Sequence, residues 1–258
     1  MSKKEKNHGL ILDVITPDNY IFGGEASIEQ KAIQLNGDWS NFLPEDELQK
    51  RNGLETNNCV AFATLNGIEI LMNRLFGLLE NYSERFVGIL AQSGNGGNSP
   101  QKVCETIRYI SGLIPEKDLP FGDSIKTLQD YYSPNPIPRK LIEKGREWIN
   151  KFDFKHEWVF LPGEKYKQEL MLKALEYSPL GASVYAWNFD EDTELYFKED
   201  ERDNHWVTIY HAEPGLFWSI FDHYDNTHKR LKWNTDFLLA KKYSLTKRKS
   251  GFFNFFCL

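Results

Sequence analysis

Cysteine is scarce in this chain: three among 258 residues, at Cys59, Cys104 and Cys257. An odd, low count argues against a disulfide framework and fits a reducing compartment. No apolar run reads as membrane-spanning, so no membrane insertion is expected. The amino terminus, Met1-Ser2-Lys3-Lys4-Glu5-Lys6, is basic with no long apolar stretch behind it, which is not the form of a secretory signal. Positive charge is not in excess either. Lys and Arg number 31 against 37 Asp and Glu, for a net charge of −6, which disfavours nucleic acid as a partner. Internal repeats and heptads are absent. Apolar residues make up 41% of the chain, enough for one large domain or two lobes.

What is present is an ordered constellation. Glu55-Thr56-Asn57-Asn58-Cys59 leads into a run carrying Phe62, Leu65, Ile68, Ile70, Leu71, Met72, Leu75 and Leu78, largely at helical spacing. Thr56, Asn57 and Asn58 are capping types, so Cys59 is expected in the first turn of a buried helix. Free N–H groups and the macrodipole favour a thiolate there. Far downstream, Asn204-His205-Trp206-Val207-Thr208-Ile209-Tyr210 is strand-like, Glu213-Pro214-Gly215 is a turn, and Leu216 to Asp222 is a second strand ending in an acid. A Cys–His pair needs a third group to fix the imidazole, and Asp222 is placed to serve. Taken singly, Cys59 reads as a packed core thiol, His205 as a structural histidine and Asp222 as a turn starter. Their order and contexts make them a constellation. His223, His228, Asp222 and Asp225 lack structural-zinc spacing, so neither metal nor cofactor is expected.

The order Cys, His, then acid, with His205 lying 146 and Asp222 163 positions after Cys59, resembles papain-like cysteine peptidases. Gly37-Asp38-Trp39 resembles the Asp-Trp that opens the mature domain. Ser93-Gly94-Asn95-Gly96-Gly97 resembles the substrate loop, and Tyr177 to Ala186 the barrel strand after a Pro-containing turn. The resemblance spans roughly residues 37–245. It implies an α+β, two-lobed fold, a helical lobe beside an antiparallel β-barrel-like lobe, with the active site between them. It departs in places. Asn57-Asn58-Cys59-Val60 replaces the usual Gly-Ser-Cys-Trp, and Gly53 stands where the oxyanion glutamine belongs. Gln49 is the nearest glutamine, if four inserted residues are accommodated, and Asn57 and Asn58 are the other candidates. Asp222 replaces an asparagine and Tyr224 a tryptophan. Trp206 replaces a small residue that opens the main specificity pocket, implying a shallow or blocked pocket.

The resemblance divides the chain into an N-terminal extension, 1–36, able to cover the cleft, and a papain-like domain, 37–245. Within that domain the helical lobe is about 37–125 and the β lobe about 126–245. A basic, Phe-rich tail, 246–258, is expected to dock on its own domain, a partner or another subunit. Expected helices are the Cys59 run, Ser99–Ser111, Arg139–Phe152 and 165–177. Expected strands are 10–15, 181–187, 205–211, 216–222 and 237–245. The charged stretches 190–194 and 198–203 read as solvated loops. The implied activity is peptide hydrolysis by Cys59, His205 and Asp222 through a thioester. Gln49 is assigned to the oxyanion, and Asn95, Gly96, Gly97 and Trp206 to a peptide or protein substrate. The alternatives are a non-catalytic binding or structural protein, such as a bacteriophage virion component, and a peptidoglycan amidase or endopeptidase. The arrangement looks most like phage and bacterial members, and a cytoplasmic or virion-associated setting is expected.

Overall fold

The run that begins at Cys59 forms helix α1 (Cys59–Phe76), buried at every residue from Cys59 to Met72. An all-round apolar helix must lie in a core. Contrary to the expectation above, α1 is long and apolar enough, by length and composition, to cross a membrane, but 78% of that span is buried inside the protein. The computed structural model describes residues 8–16, 19–24, 27–28, 30–198, 202–225 and 227–249.

Short capped helices surround α1. Ser83 caps α2 (Glu84–Leu90), accepting from the Phe86 N–H. Ser99 caps α3 (Pro100–Thr106), accepting from the Lys102 N–H, with Pro100 in the first turn. A π-helical turn, Ile107–Ser111, extends α3, so the single helix expected over 99–111 changes its winding midway. Then follow α4 (Leu128–Tyr131), α5 (Arg139–Lys151) and α6 (Lys167–Leu175).

A two-stranded hairpin, β1 (Lys50–Arg51) and β2 (Leu54–Glu55), turns at Asn52-Gly53, both with positive φ, as a mirror-type hairpin turn requires. The other strands are β3 (Phe152–Trp158), β4 (Leu180–Val184), β5 (Asn188–Asp190), β6 (Leu195–Phe197), β7 (His205–Glu213), β8 (Phe217–Phe221), β9 (His228–Lys232) and β10 (Ala240–Lys247). They form one sheet in the order β3-β10-β4-β7-β8-β9-β6-β5, antiparallel except between β6 and β9. The fold is two-lobed α+β. The barrel-like expectation is corrected: β3 and β5 are edge strands, and no closure joins them among the described residues.

Strands β1, β2, β3, β5, β6 and β9 are not among those expected. Leu10–Ile15 is not a regular strand, since only Leu10 bridges, to Asn98. Strand β10 runs past residue 245, and Arg248 bonds the Ile149 and Phe152 carbonyls and pairs with Asp153. The rest of the expected tail, 250–258, lies outside the described residues. The charged stretches are not wholly solvated. Asp190 pairs with Lys232, and buried Asp203 pairs with Lys198 and accepts from the Ser183 hydroxyl.

One side-chain bond ties α1 to the sheet at the site, and Trp39 ties α6 to the same strand. Thr208 on β7 donates its hydroxyl proton to the Ala63 carbonyl of α1 at 2.8 Å. Trp39, wholly buried, donates its indole N–H to the Leu175 carbonyl at 2.8 Å and its backbone N–H to Tyr210 of β7 at 2.9 Å.

Candidate active site

Strand register brings the site together. In the β7–β8 pair Thr208 faces Phe221, so the next register position places Val207 opposite Asp222. In the β8–β9 pair Ile220 faces Lys229. Side chains alternate across a strand, so His205, Asp222 and Lys229 share one face as diagonal neighbours. His205 Nε2 lies 2.7 Å from Asp222 Oδ1, and Lys229 Nζ donates to Asp222 Oδ2 at 2.7 Å. All three side chains are fully buried. Lys229 also pairs with Asp225 and sits over the rings of Trp187 and Tyr196, at 5.1 and 5.5 Å. His205 Nδ1 is buried without a hydrogen-bond partner among the described residues.

Helix α1 delivers Cys59 to the same strand, where its sulfur accepts from the Trp206 N–H, one residue past His205. The thiolate expected from the helix N-terminus is overridden here. Burial pushes the Cys59 thiol far above its ordinary value, the Trp206 N–H offsets part of this, and the Glu55 and Asp222 charges push it further up. Asp222 behaves oppositely. Burial would raise its carboxyl, but His205, His223 and Lys229 outweigh burial and hold it well below the carboxylate range. Burial pushes His223 down to about 3, so it is neutral and its Nε2 donates to the Trp206 carbonyl at 3.0 Å.

His205, Asp222 and His223 offer ligand atoms within 4.8 Å of one another. As a metal site the trio fits poorly. Both Nε2 atoms are engaged within the protein, and the Lys229 ammonium already sits on the second Asp222 oxygen.

Gln49 is fully buried immediately before β1. The β1–β2 hairpin absorbs the extra residues between Gln49 and Cys59, and the Gln49 amide reaches both Glu55 Oε1 and the His8 carbonyl, the latter at 3.2 Å. The other oxyanion candidates are committed elsewhere. Asn57 Nδ2 donates to the Asn95 carbonyl, and Asn58 Nδ2 to the Glu84 carbonyl and the Tyr131 hydroxyl.

Asn95, Gly96 and Gly97 form a tight turn, closed by the Gly97 N–H on the Gly94 carbonyl at 2.8 Å. The strand-like contacts come one residue later, at Asn98, which sequence reading missed. Its N–H donates to the Gly9 carbonyl and its carbonyl accepts from the Ile11 N–H, both at 2.9 Å. Upstream, the His8 N–H donates to the Asn204 carbonyl at 3.1 Å. Residues 8–11 thus run between the Gly97–Asn98 edge and the His205 end of β7. Bare backbone is required there: a Cβ at Gly9 would lie 2.1 Å from the Asn57 oxygen, and one at Gly97 would lie 1.9 Å from the Gly9 oxygen. The His8 ring packs edge-on against Tyr224 and His205, with centroids 4.4 and 5.6 Å away.

Trp206 is wholly buried and packs over Gly181, where a Cβ would meet its ring at 2.8 Å. Its side chain is therefore not an open substrate surface. Cavities of about 310 and 400 Å³ lie elsewhere, flanking Leu78–Glu80.

No protein-family model and no curated protein sequence matches the chain. Solved structures do match it. Procathepsin L2 from the larval midgut of Tenebrio molitor aligns at 15% identity and TM-score 0.60, covering 92% of this chain and 78% of that one. Bromelain from Ananas comosus, in complex with the E64 inhibitor, aligns at 16% identity and TM-score 0.55, covering 80% and 97%. The proform of the Amb a 11 cysteine protease, a ragweed pollen allergen, aligns at 14% identity and TM-score 0.53. That match covers 80% of this chain and 65% of the allergen's length. The fold is papain-like. Identities this low establish the fold alone, and the structures named come from plants and an insect rather than from phages or bacteria.

Lys229, Asn98 and Asn204 are not marked as site residues by the sequence. Lys229 had no local signal: His228-Lys229-Arg230-Leu231-Lys232 has one apolar residue, and the burial of Lys229 follows from pairing with β8.

Proposed function

We propose that this papain-like chain is a cysteine endopeptidase held latent by its own residues 8–11. The single observation that carries the reading is the buried His205–Asp222 pair beside Cys59, with the Gln49 amide on a main-chain carbonyl. Once the cleft is open, His205 Nδ1 takes the Cys59 proton while Nε2–H stays on Asp222. The thiolate sulfur attacks a peptide carbonyl carbon. The oxyanion is held by the Gln49 amide and the Cys59 N–H, itself a free donor in the first turn of α1. Collapse breaks the C–N bond, and His205 Nδ1–H protonates the departing amine. Water, deprotonated by His205, then hydrolyses the thioester and restores the thiol.

In this reading residues 8–11 take the place of a substrate. Cleavage at His8–Gly9 would leave the new amine tethered by the Gly9 and Ile11 bonds to Asn98. Such proximity favours religation over escape, so the segment acts as a plug. Substrates in this reading are peptides or unstructured proteins.

The test is digestion of an unstructured protein such as casein by the Gly9→Val chain. Cleavage that disappears in G9V/C59A supports the reading; cleavage unaffected by Cys59→Ala sinks it. The fully buried, high-pKa thiol favours a second reading, a fold retained for binding, as in a structural component of a virus particle. Absence of turnover in an opened and correctly folded chain selects it. Digestion of peptidoglycan but not protein would select an amidase instead.

A further inference from the structure

We infer that Lys229 is a positioning residue of this site: its ammonium cancels the Asp222 charge, so the carboxylate orients His205 without trapping the proton that His205 must pass on. The inference rests on the peptidase reading for its purpose, but its electrostatics can be measured separately.

Three fully buried side chains form one line, His205 Nε2 to Asp222 Oδ1 at 2.7 Å and Asp222 Oδ2 to Lys229 Nζ at 2.7 Å. A lone buried carboxylate against an imidazole stabilises the imidazolium strongly, because low dielectric magnifies the attraction. A general acid–base works best when its proton is neither too tightly nor too loosely held. A cation on the far carboxylate oxygen offsets that excess. It also fixes the carboxylate rotation, since both oxygens are bonded. The Trp187 and Tyr196 faces hold the ammonium from the other side. Asp225, its second partner, is 58% exposed at the side chain, so solvent screens that charge more.

Other groups facing His205 are His223 and Tyr224 from the loop after β8 and His8 from the plug, while Cys59 lies against the next residue of β7, Trp206. Glu55 faces the thiol. None of them changes in the variants below.

The charge on the Asp222–Lys229 unit is zero in wild type, −1 in Lys229→Met, +1 in Asp222→Asn, and zero again in D222N/K229M. The His205 titration midpoint, read by NMR on the full chain, should follow that order. It should move up in Lys229→Met and down in Asp222→Asn, each by about one pH unit or more, and return close to wild type in the double variant. A purely structural role would lower thermal stability without this ordering. Should Lys229→Met not fold, Asp222→Asn and the double variant still carry the test, because the double variant leaves no unpaired buried charge. The inference is overturned if Lys229→Met leaves the midpoint unchanged, or if the double variant lies no nearer wild type than Asp222→Asn does. The peptidase reading is judged independently by turnover in the Gly9→Val background. There, D222N/K229M should regain at least tenfold over Asp222→Asn, and no turnover in any background would count against the peptidase and not against the charge ordering.

Discussion

Replacing Gly9 with valine should expose Cys59 without unfolding the protein. The wild-type residue sits at φ 108°, a conformation side chains avoid. A Cβ there would lie 2.1 Å from the Asn57 carbonyl oxygen. Neither backbone can yield cheaply, because the Asn57 side chain is tied to Asn95 and its N–H to Glu55. The segment must lift, breaking at least the Asn98–Gly9 bond and the Gln49–His8 bond. Each is worth about 1 kcal/mol net, so the open state should gain about 2 kcal/mol, roughly thirtyfold in population. The assay is iodoacetamide alkylation at pH 8, read by peptide mass spectrometry, with buried Cys104 as the internal control. Burial pushes the Cys104 thiol up to about 12, so it should stay slow. Opening rehydrates Cys59 and removes the main cause of its raised pKa, which adds to the rate. Unchanged labelling would refute the plug. Equal acceleration of Cys104 would show general unfolding and refute the local account as well.

Gln49→Ala in the Gly9→Val background should lower turnover by about 10²- to 10³-fold while leaving Cys59 alkylation in place; a loss under threefold would remove Gln49 from the oxyanion role. Burial pushes the Glu69 carboxyl up to about 8, with Glu47, Glu116 and Glu80 adding to it, and pushes Glu116 up to about 7. A carboxyl raised in the folded state binds a proton that the unfolded chain has released, so its contribution falls as pH rises from about 4.5 to 8. Glu69→Gln keeps the acceptor for the Tyr82 N–H. The stability difference between wild type and Glu69→Gln should therefore turn against wild type by a few kcal/mol across that window, and a flat difference in urea unfolding at pH 5 and pH 8 would be inconsistent with a protonated Glu69.

The fold was legible where local pattern and burial agree. The α1 run, the Ser99-Pro100 start and the strand beginning at His205 all carry their own signals, and each appears where expected. Short strands were not legible. Those at 188–190 and 195–197 flank the charged run 190–194 and are three residues each, too short for a local pattern, so their pairing with each other and with β9 is what defines them. Of the site, Cys59, His205 and Asp222 were named from their order and local contexts and Gln49 from the family resemblance; the structure pairs His205 with Asp222, sets Cys59 against the Trp206 N–H and puts the Gln49 amide on the His8 carbonyl. The thiol's electrostatics were misjudged, because the helix N-terminus was weighed without the burial that opposes it. Lys229 could be read only once β9 was placed beside β8, since its role follows from register.

The most direct measurement is intact mass of the Gly9→Val chain, acid-quenched during turnover of an activated ester of a short peptide. The account predicts a covalent acyl adduct on Cys59 that accumulates, decays as substrate is exhausted, and is absent in the G9V/H205A chain. Substrate turnover with no adduct on Cys59, or an adduct carried by another residue, would contradict it.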